Sequence, residues 1–314
     1  MIAFGPIPSR RLGMSLGINN IVSPKTCSYS CIYCQVGKTR VKSIRRDSFY
    51  KPRLIYEKVS THLEKLDQKD TPDYLTFVSN GEPTLDINLG NSIKLLKKLG
   101  IPIAVISNAS MLFDETVRHD LLLADWVSLK MDASDNDTWQ KINKPSPDLN
   151  FEKHIENIIL FAGLFNRKLN TETMLVKGIN DQAASFSEVG KIIRQVNPST
   201  AYLSIPTRPP SDKNIKPPEE EAINAAWQIF TEMKISTELL TGFEGTNTGY
   251  TGNIYEDILN ITAVHPLRED TLTELLRKDN AGFSIVDSLI RQKLIKPVTW
   301  KDNTFYIREY HLYL

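Results

Sequence analysis

Cys27, Cys31 and Cys34 are the only cysteines in a chain of 314 residues, and all of them fall in one short stretch, TCSYSCIYC. An odd number of thiols cannot pair off as disulfides. Three ligands also leave a structural zinc site one short, and His62, the next histidine along, falls in a segment of helical period. Thiolates hold iron–sulfur clusters as well. A cubic [4Fe–4S] cluster bound by three thiolates keeps one iron open for a ligand that is not protein, so on this reading three is the right count. Tyr33, the aromatic before the last cysteine, would shield such a cluster and touch a ligand on the open iron. A zinc site and three unrelated buried thiols are the alternatives.

Other residues invite a chemical reading beside a plainer one. Lys130 lies in an apolar run, SLKMDA, where a charge needs a partner. Asp132, two positions on, shares its side of a strand, so one reading is a Lys130–Asp132 ion pair facing the interior. Arg10 and Arg11, beside Pro8, offer two guanidiniums that could clamp a phosphate or carboxylate; the plainer reading is a solvated amino-terminal arm. Glu172 and Arg208 fall near strand ends, within reach of a substrate. Lys38, Arg40, Lys42, Arg45 and Arg46 form a basic run after the cysteines that could guide a polyanion such as tRNA, or is only a solvated loop.

The elements that must position these groups alternate along the chain. Strand-like runs cover 15–22, 73–79, 101–108, 125–132, 169–178 and 201–207, and helix-like segments cover 53–66, 89–99, 113–123, 151–166, 185–196 and 218–233. Gly100 followed by Pro102 punctuates one helix end. Six βα units predict an α/β fold, a partial (β/α)6 TIM-like barrel with an open mouth, whose ligands collect at the carboxyl ends of the strands. Residues 237–245 could add a short edge strand. After Gly252 three helical segments precede a hairpin in 296–310 turning at Asp302-Asn303, the order of a winged helix. The expected division is therefore a barrel domain over 1–250 and a small winged-helix-like domain over 251–314.

Net charge is +1, so bulk electrostatics argue for neither nucleic acid nor membrane. No apolar run approaches the roughly 20 residues of a membrane helix. The start lacks the features of a secretory signal, and an odd cysteine count suits a reducing compartment, so a cytoplasmic location is expected.

CSYSCIYC resembles the CxxxCxxC signature of the radical S-adenosylmethionine (SAM) superfamily. GPIPSRRLGMSLGINNIVSPKTCSYSCIYCQVG, SNGEPTL, SNAS, SLKMDA, TMLVKGIND, IPTRPP and TAVHPLRED are similar to one uncharacterised branch, grouped loosely with wyosine-type tRNA-modifying enzymes (imidazoG37 synthetase-like). The resemblance implies one [4Fe–4S] cluster and SAM as cofactors. It implies reductive cleavage of SAM to a 5′-deoxyadenosyl radical that abstracts hydrogen from a substrate, with tRNA or a protein as candidates. SNGEPTL resembles the family's GGEP loop, with Asn80 in place of the first glycine and Gly81, Glu82 and Pro83 kept; the loop would hold the SAM ammonium. Asn108 would bond the SAM carboxylate or ribose, or be only a helix cap. Lys130 would meet the SAM carboxylate, and Leu175 and Ile205 would wall the adenine unless they are plain core. No cysteine is left for a second cluster, which implies an external donor, a flavodoxin or ferredoxin. The alternatives are an iron–sulfur sensor with winged-helix output and an activase that plants a radical on a partner enzyme.

Overall fold

Leu75, Phe77, Ile103, Val105, Val127 and Leu129 are wholly buried, as strands become when helices cover a parallel sheet. The computed structural model describes residues 2–309; Tyr310, the last residue of the expected hairpin stretch, lies outside them. In chain order the strands are β1 (Ala3–Ser9), β2 (Gly13–Ile18), β3 (Thr26–Cys27), β4 (Val41–Lys42), β5 (Tyr74–Phe77), β6 (Ile103–Ser107) and β7 (Trp126–Lys130). They continue as β8 (Lys168–Met174), β9 (Thr200–Ser204), β10 (Thr237–Leu240), β11 (Leu267–Arg268), β12 (Ile295–Trp300) and β13 (Asn303–Arg308). The helices are α1 (Pro52–Glu64), α2 (Leu89–Leu96), α3 (Glu115–Leu121), α4 (Asn136–Asn143), α5 (Phe151–Leu164), α6 (Ala183–Val196), α7 (Glu220–Glu232), α8 (Ile254–Thr262), α9 (Glu269–Lys278) and α10 (Ser284–Arg291).

An eight-stranded sheet of order β1-β2-β5-β6-β7-β8-β9-β10 forms the partial barrel. From β2 onward every neighbour is parallel. The helices that separate these strands carry local punctuation: Asp114 and Asn150 accept from Thr116 N and Lys153 N to cap α3 and α5, and Gly100 turns left-handed at φ 75°. The short edge strand expected over 237–245 is β10.

The other edge departs from expectation. Residues 3–9, to which the sequence assigned no element, form an antiparallel strand on β2, so Arg10 and Arg11 follow a strand and not a solvated arm. Gly5, Pro6 and Pro8 hide that strand in the sequence, because proline is tolerated only at sheet edges, and this is one. Gly17 on β2 makes room for it, since a Cβ there would sit 2.1 Å from Phe4 Cζ. The β1–β2 turn then folds inward, where Leu12 packs with Ala104, Trp126, Tyr202 and Leu240. Strand β1 thereby approaches β10, and Arg10 Nη1 donates to Leu240 O. Helix α4, also unforeseen, is too short and polar to show a clear period.

Beyond Gly252, α8, β11, α9 and α10 precede the β12–β13 hairpin, and the three strands pair in the order β11-β13-β12. The hairpin turns at Lys301-Asp302, both with positive φ (46° and 60°), one residue before the expected turn. Ile258, Leu272, Leu275, Val286, Leu289 and Ile295 form this region's core together with Phe4 and Ile7 of β1.

Candidate active site at the mouth of the barrel

The cysteines occupy the loop after β2. Strand β3 pairs with β4 and fixes one end of it. The carboxyl end of α4 fixes the other: Ser30 N and Ile32 N donate to Asn143 O and Ile142 O at 3.0 Å. Tyr29, 2% exposed, packs among Cys27, Trp139 and Phe151, and its hydroxyl accepts from Trp139 Nε1 at 3.1 Å. Lys25 Nζ donates to Cys34 Sγ at 3.0 Å and to Gly37 O at 2.6 Å. Burial pushes the Cys27 thiol up to about 12 and the Cys31 thiol to about 11. Burial acts on Cys34 too, but the Lys25 cation outweighs it and lowers that thiol.

All three cysteines line one cavity of about 310 Å³. Among the described residues no three His, Cys, Asp or Glu side chains form a group that could hold a single metal ion. Thiolates bound to different irons of one cluster have no need to meet at a point. A soft, all-sulfur donor set beside a lysine cation suits a cluster that retains net negative charge.

The SNGEPTL loop lies against the cysteine loop. Glu82 N donates to Thr26 O at 3.2 Å, and a Cβ on Gly81 would fall 1.9 Å from that same oxygen, so only glycine fits. Glu82 is 2% exposed and turns inward. Its Oε1 accepts from Thr84 N and Oγ1 and from Ser107 Oγ at 2.8 Å, and its Oε2 from Asn108 N at 2.8 Å, so it ties this loop to the end of β6. Burial raises its pKa against those bonds. Pro83 opens a 3-10 turn, Pro83–Leu85. Asn80 is buried, with its amide N–H on Asn19 Oδ1, and it does not line the cavity. Asn108 caps no helix, since α3 begins at Glu115 with Asp114 as its cap; its Oδ1 accepts from Ser110 N at 3.0 Å in a local turn, while Nδ2 donates to Ser28 Oγ at 2.9 Å and lies 3.6 Å from Cys27 Sγ.

Lys130 faces the interior, but its partner is Glu172 at 2.9 Å, not Asp132. Adjacent parallel strands put Lys130 and Glu172 in register, a cross-strand pairing that two-residue spacing within one strand cannot reveal. Asp132 instead accepts from the Tyr33 hydroxyl, from Asn143 Nδ2 at 2.7 Å and from Met174 N at 2.8 Å. Tyr33 is thereby held with Lys130 Nζ 5.0 Å from its ring centre. Glu172 also receives Arg11 and, at 3.0 Å, Ser204 Oγ. Burial lowers the Lys130 pKa, and nearby Asp132 works the other way.

A second polar group closes the cavity on the side of β10. Glu244 receives Arg208 and, at 3.2 Å, His265 Nε2, with Arg10 Nε at 4.0 Å. Arg208 Nη1 also donates to Gln35 Oε1 at 2.9 Å, and Gln35 Nε2 donates to Val264 O at 3.0 Å, linking the cysteine loop to the carboxyl-terminal region. Burial works against charge on Glu244, but His265 and Arg208 hold its carboxyl well below the usual range. Burial, aided by Arg208, lowers His265 to about 4, so it is neutral at pH 7.

Of the sequence-predicted residues, the cysteines, Tyr33, Gly81, Glu82, Asn108, Lys130, Glu172, Ile205, Arg10, Arg11 and Arg208 line the cavity. Leu175 is 1% exposed in the main core and does not. Of the basic run, Arg46 is spent on Asp120 at 2.5 Å and Lys42 on Lys144 O at 2.9 Å. Sequence reasoning missed Lys25, Gln35, Glu244 and His265. Lys25, Gln35 and His265 all fall in the stretches that carry the resemblance, which is where a signal for them lay.

Residues 21–186 match the Radical SAM superfamily. The UPF0026 protein of Methanocaldococcus jannaschii is 45% identical over 310 residues, 98% of this chain and 96% of that protein. The structure of a radical SAM methyltransferase from Sphaerobacter thermophilus aligns with a TM-score of 0.52 at 14% identity, covering 72% of this chain and 66% of that one. Streptococcus suis SuiB bound to precursor peptide SuiA aligns with a TM-score of 0.55 at 11% identity, covering 74% of this chain and 50% of that one. At these identities both structures speak to the fold alone.

Proposed function

We propose, on the premise that this chain belongs to the radical SAM superfamily and is a radical SAM enzyme, that Cys27, Cys31 and Cys34 hold a single [4Fe–4S] cluster and that SAM binds beside it in the same cavity. When bound, the cluster and SAM supply one-electron reductive cleavage of the sulfonium, and with it the means to take a hydrogen atom from a substrate.

The chain's own residues prepare that cavity. Lys25 sets a cation against Cys34 and offsets part of the thiolate charge. Backbone of the Gly81-Glu82-Pro83 loop receives the SAM ammonium; Glu82 spends its oxygens on fixing the loop and Asn108 and so acts as a positioning residue. Asn108 reaches SAM beside Cys27, Lys130 takes the SAM carboxylate, and Ile205 forms an apolar wall. Asp132 orients Tyr33 over the cysteine side. Arg10, Arg11, Glu172 and Arg208 contact substrate. A flavodoxin or ferredoxin delivers the electron. We read the described part of the expected second domain, residues 251–309, as a winged-helix-like unit docked on β1 that closes the mouth through Val264 and His265. Among the described residues no helix is long and apolar enough to cross a membrane.

The observation that carries this reading is that the three cysteines, Gly81, Glu82, Asn108 and Lys130, drawn from four separate strand ends, line one cavity. Anaerobic reconstitution followed by iron analysis and an assay for 5′-deoxyadenosine tests it. Wild type binds iron and forms 5′-deoxyadenosine when reduced in the presence of SAM, and Cys27→Ser, Cys31→Ser or Cys34→Ser each abolishes both. A variant that keeps iron and turnover sinks the reading.

A further inference from the structure

We propose that the substrate carries a phosphoryl group, received by Arg10, Arg11 and Arg208. This rests on the assignment of the cavity above and adds the chemistry of what enters it.

These arginine side chains are 21%, 20% and 14% exposed, buried enough that each needs an anion. The protein supplies too few. Glu172 is divided among Arg11, Lys130 and Ser204. Glu244 is divided among Arg208, His265 and, more distantly, Arg10. Lys130 shares Glu172 and also lies near Asp132, so Arg10, Arg11 and Arg208 pair with only Glu172 and Glu244 and positive charge remains on the arginine side. The guanidiniums lie close enough to repel one another: burial, with Arg10 and Arg208 acting in the same direction, lowers Arg11 to about 10.

Arg10 Nη1 is taken by Leu240 O and Gly242 O and Arg208 by Gln35 and Glu244, but Arg11 has donors unspent. A guanidinium has five N–H groups. Among the described residues Arg11 gives one hydrogen bond from its side chain, from Nη1 to Glu172. Arg10 and Arg11 rise from the β1–β2 turn, and Arg208 comes from the loop after β9, so the donors approach from two directions. Forked donors from more than one side match the lone pairs of a tetrahedral oxyanion better than a lysine would. The three arginines line the same cavity as the cysteines, which places the received group within the barrel.

The test is calorimetric titration of the anaerobically reconstituted full chain with inorganic phosphate and, in parallel, with acetate. A single-stranded ribo-oligonucleotide with and without a 5′-terminal phosphate completes the set. Phosphate is expected to bind, and acetate about tenfold or more weakly, as fewer charge-assisted bonds form. Arg11→Gln and Arg208→Gln should each weaken phosphate by about tenfold or more, and Arg208→Lys less, with iron content unchanged. If Arg11→Gln fails to fold, the Arg208 pair carries the test. Preference for the 5′-phosphorylated oligonucleotide over free phosphate locates the group at a nucleic-acid end; equal binding of the two oligonucleotides locates it on a small molecule. No binding of phosphate by wild type overturns the proposal, as does acetate binding equally well. Displacement of phosphate by SAM, one for one, also overturns it and gives the arginines to the SAM carboxylate. Iron content and 5′-deoxyadenosine formation are read separately, so loss of the phosphate site is distinguishable from loss of the cluster.

Discussion

On the cysteine side of the cavity the groups awaiting charge are thiols, and burial holds Cys27 and Cys31 protonated at about 12 and about 11. On the arginine side the charges are already present, and the chain balances part of them with Glu172 and Glu244. The first side depends on a bound metal to displace protons, so its affinity is coupled to proton release. The second already has its ion pairs in the metal-free protein, with positive charge left over for a ligand, and those pairs contribute to folding directly. One cavity thus joins a side whose charges appear only with a cofactor to a side whose ion pairs form on folding.

The largest effect expected from this contrast is at Glu172. Glu172→Gln removes the anion from a buried Lys130 and Arg11, which then face each other, and should destabilise the metal-free chain by about 3–5 kcal/mol. Urea unfolding checks this against Cys31→Ala in the same metal-free state. Equal costs for the two variants would break the comparison.

Next is a pH effect, because each side has a buried neutral histidine behind it. His154 stacks on Trp139 at 5.3 Å beneath the cysteine loop, and burial alone lowers it to about 4. An imidazole with a lowered folded pKa takes up its proton in the unfolded chain first, so it destabilises the fold as pH falls from about 6.5 towards 4. Asp86 and Asp257, raised to about 6 by burial, act in the opposite direction over much of that window. The difference between wild type and His154→Phe isolates the histidine. Relative to its value at pH 8, the variant should gain about 3 kcal/mol over wild type by pH 4. A flat difference from denaturant unfolding would refute the burial of a neutral ring.

The smallest is Gly17→Ala. The added Cβ meets Phe4 and should cost about 1–3 kcal/mol by displacing β1. Because β1 leads into the turn carrying Arg10 and Arg11, the change should perturb the arginine side while reconstituted iron content stays at the wild-type level. Matching losses on both sides would show that they are not independently built.

Sequence reading captured what is local. The cysteine spacing, the Gly81-Glu82-Pro83 loop and the βα alternation are each contiguous, so residue types and periods suffice to find them. It placed Lys130 inside the barrel yet paired it with Asp132, because strand period reports which side a residue takes and not which neighbour lies across the sheet. It assigned no strand to residues 3–9, because Gly5, Pro6 and Pro8 mask a strand whose burial comes from β2 and the carboxyl-terminal core.

By itself, then, the sequence determined the three thiols, the loops that surround them and the parallel sheet that presents them, since short-range spacing and periodicity encode all three. Only the tertiary structure decided the arginine side. Arg11, Lys130, Glu172, Arg208, Glu244 and His265 come from six separate places in the chain. Their charges acquire partners when the sheet curls and the carboxyl-terminal region docks, because Coulomb attraction depends on distance in space and not on separation along the chain.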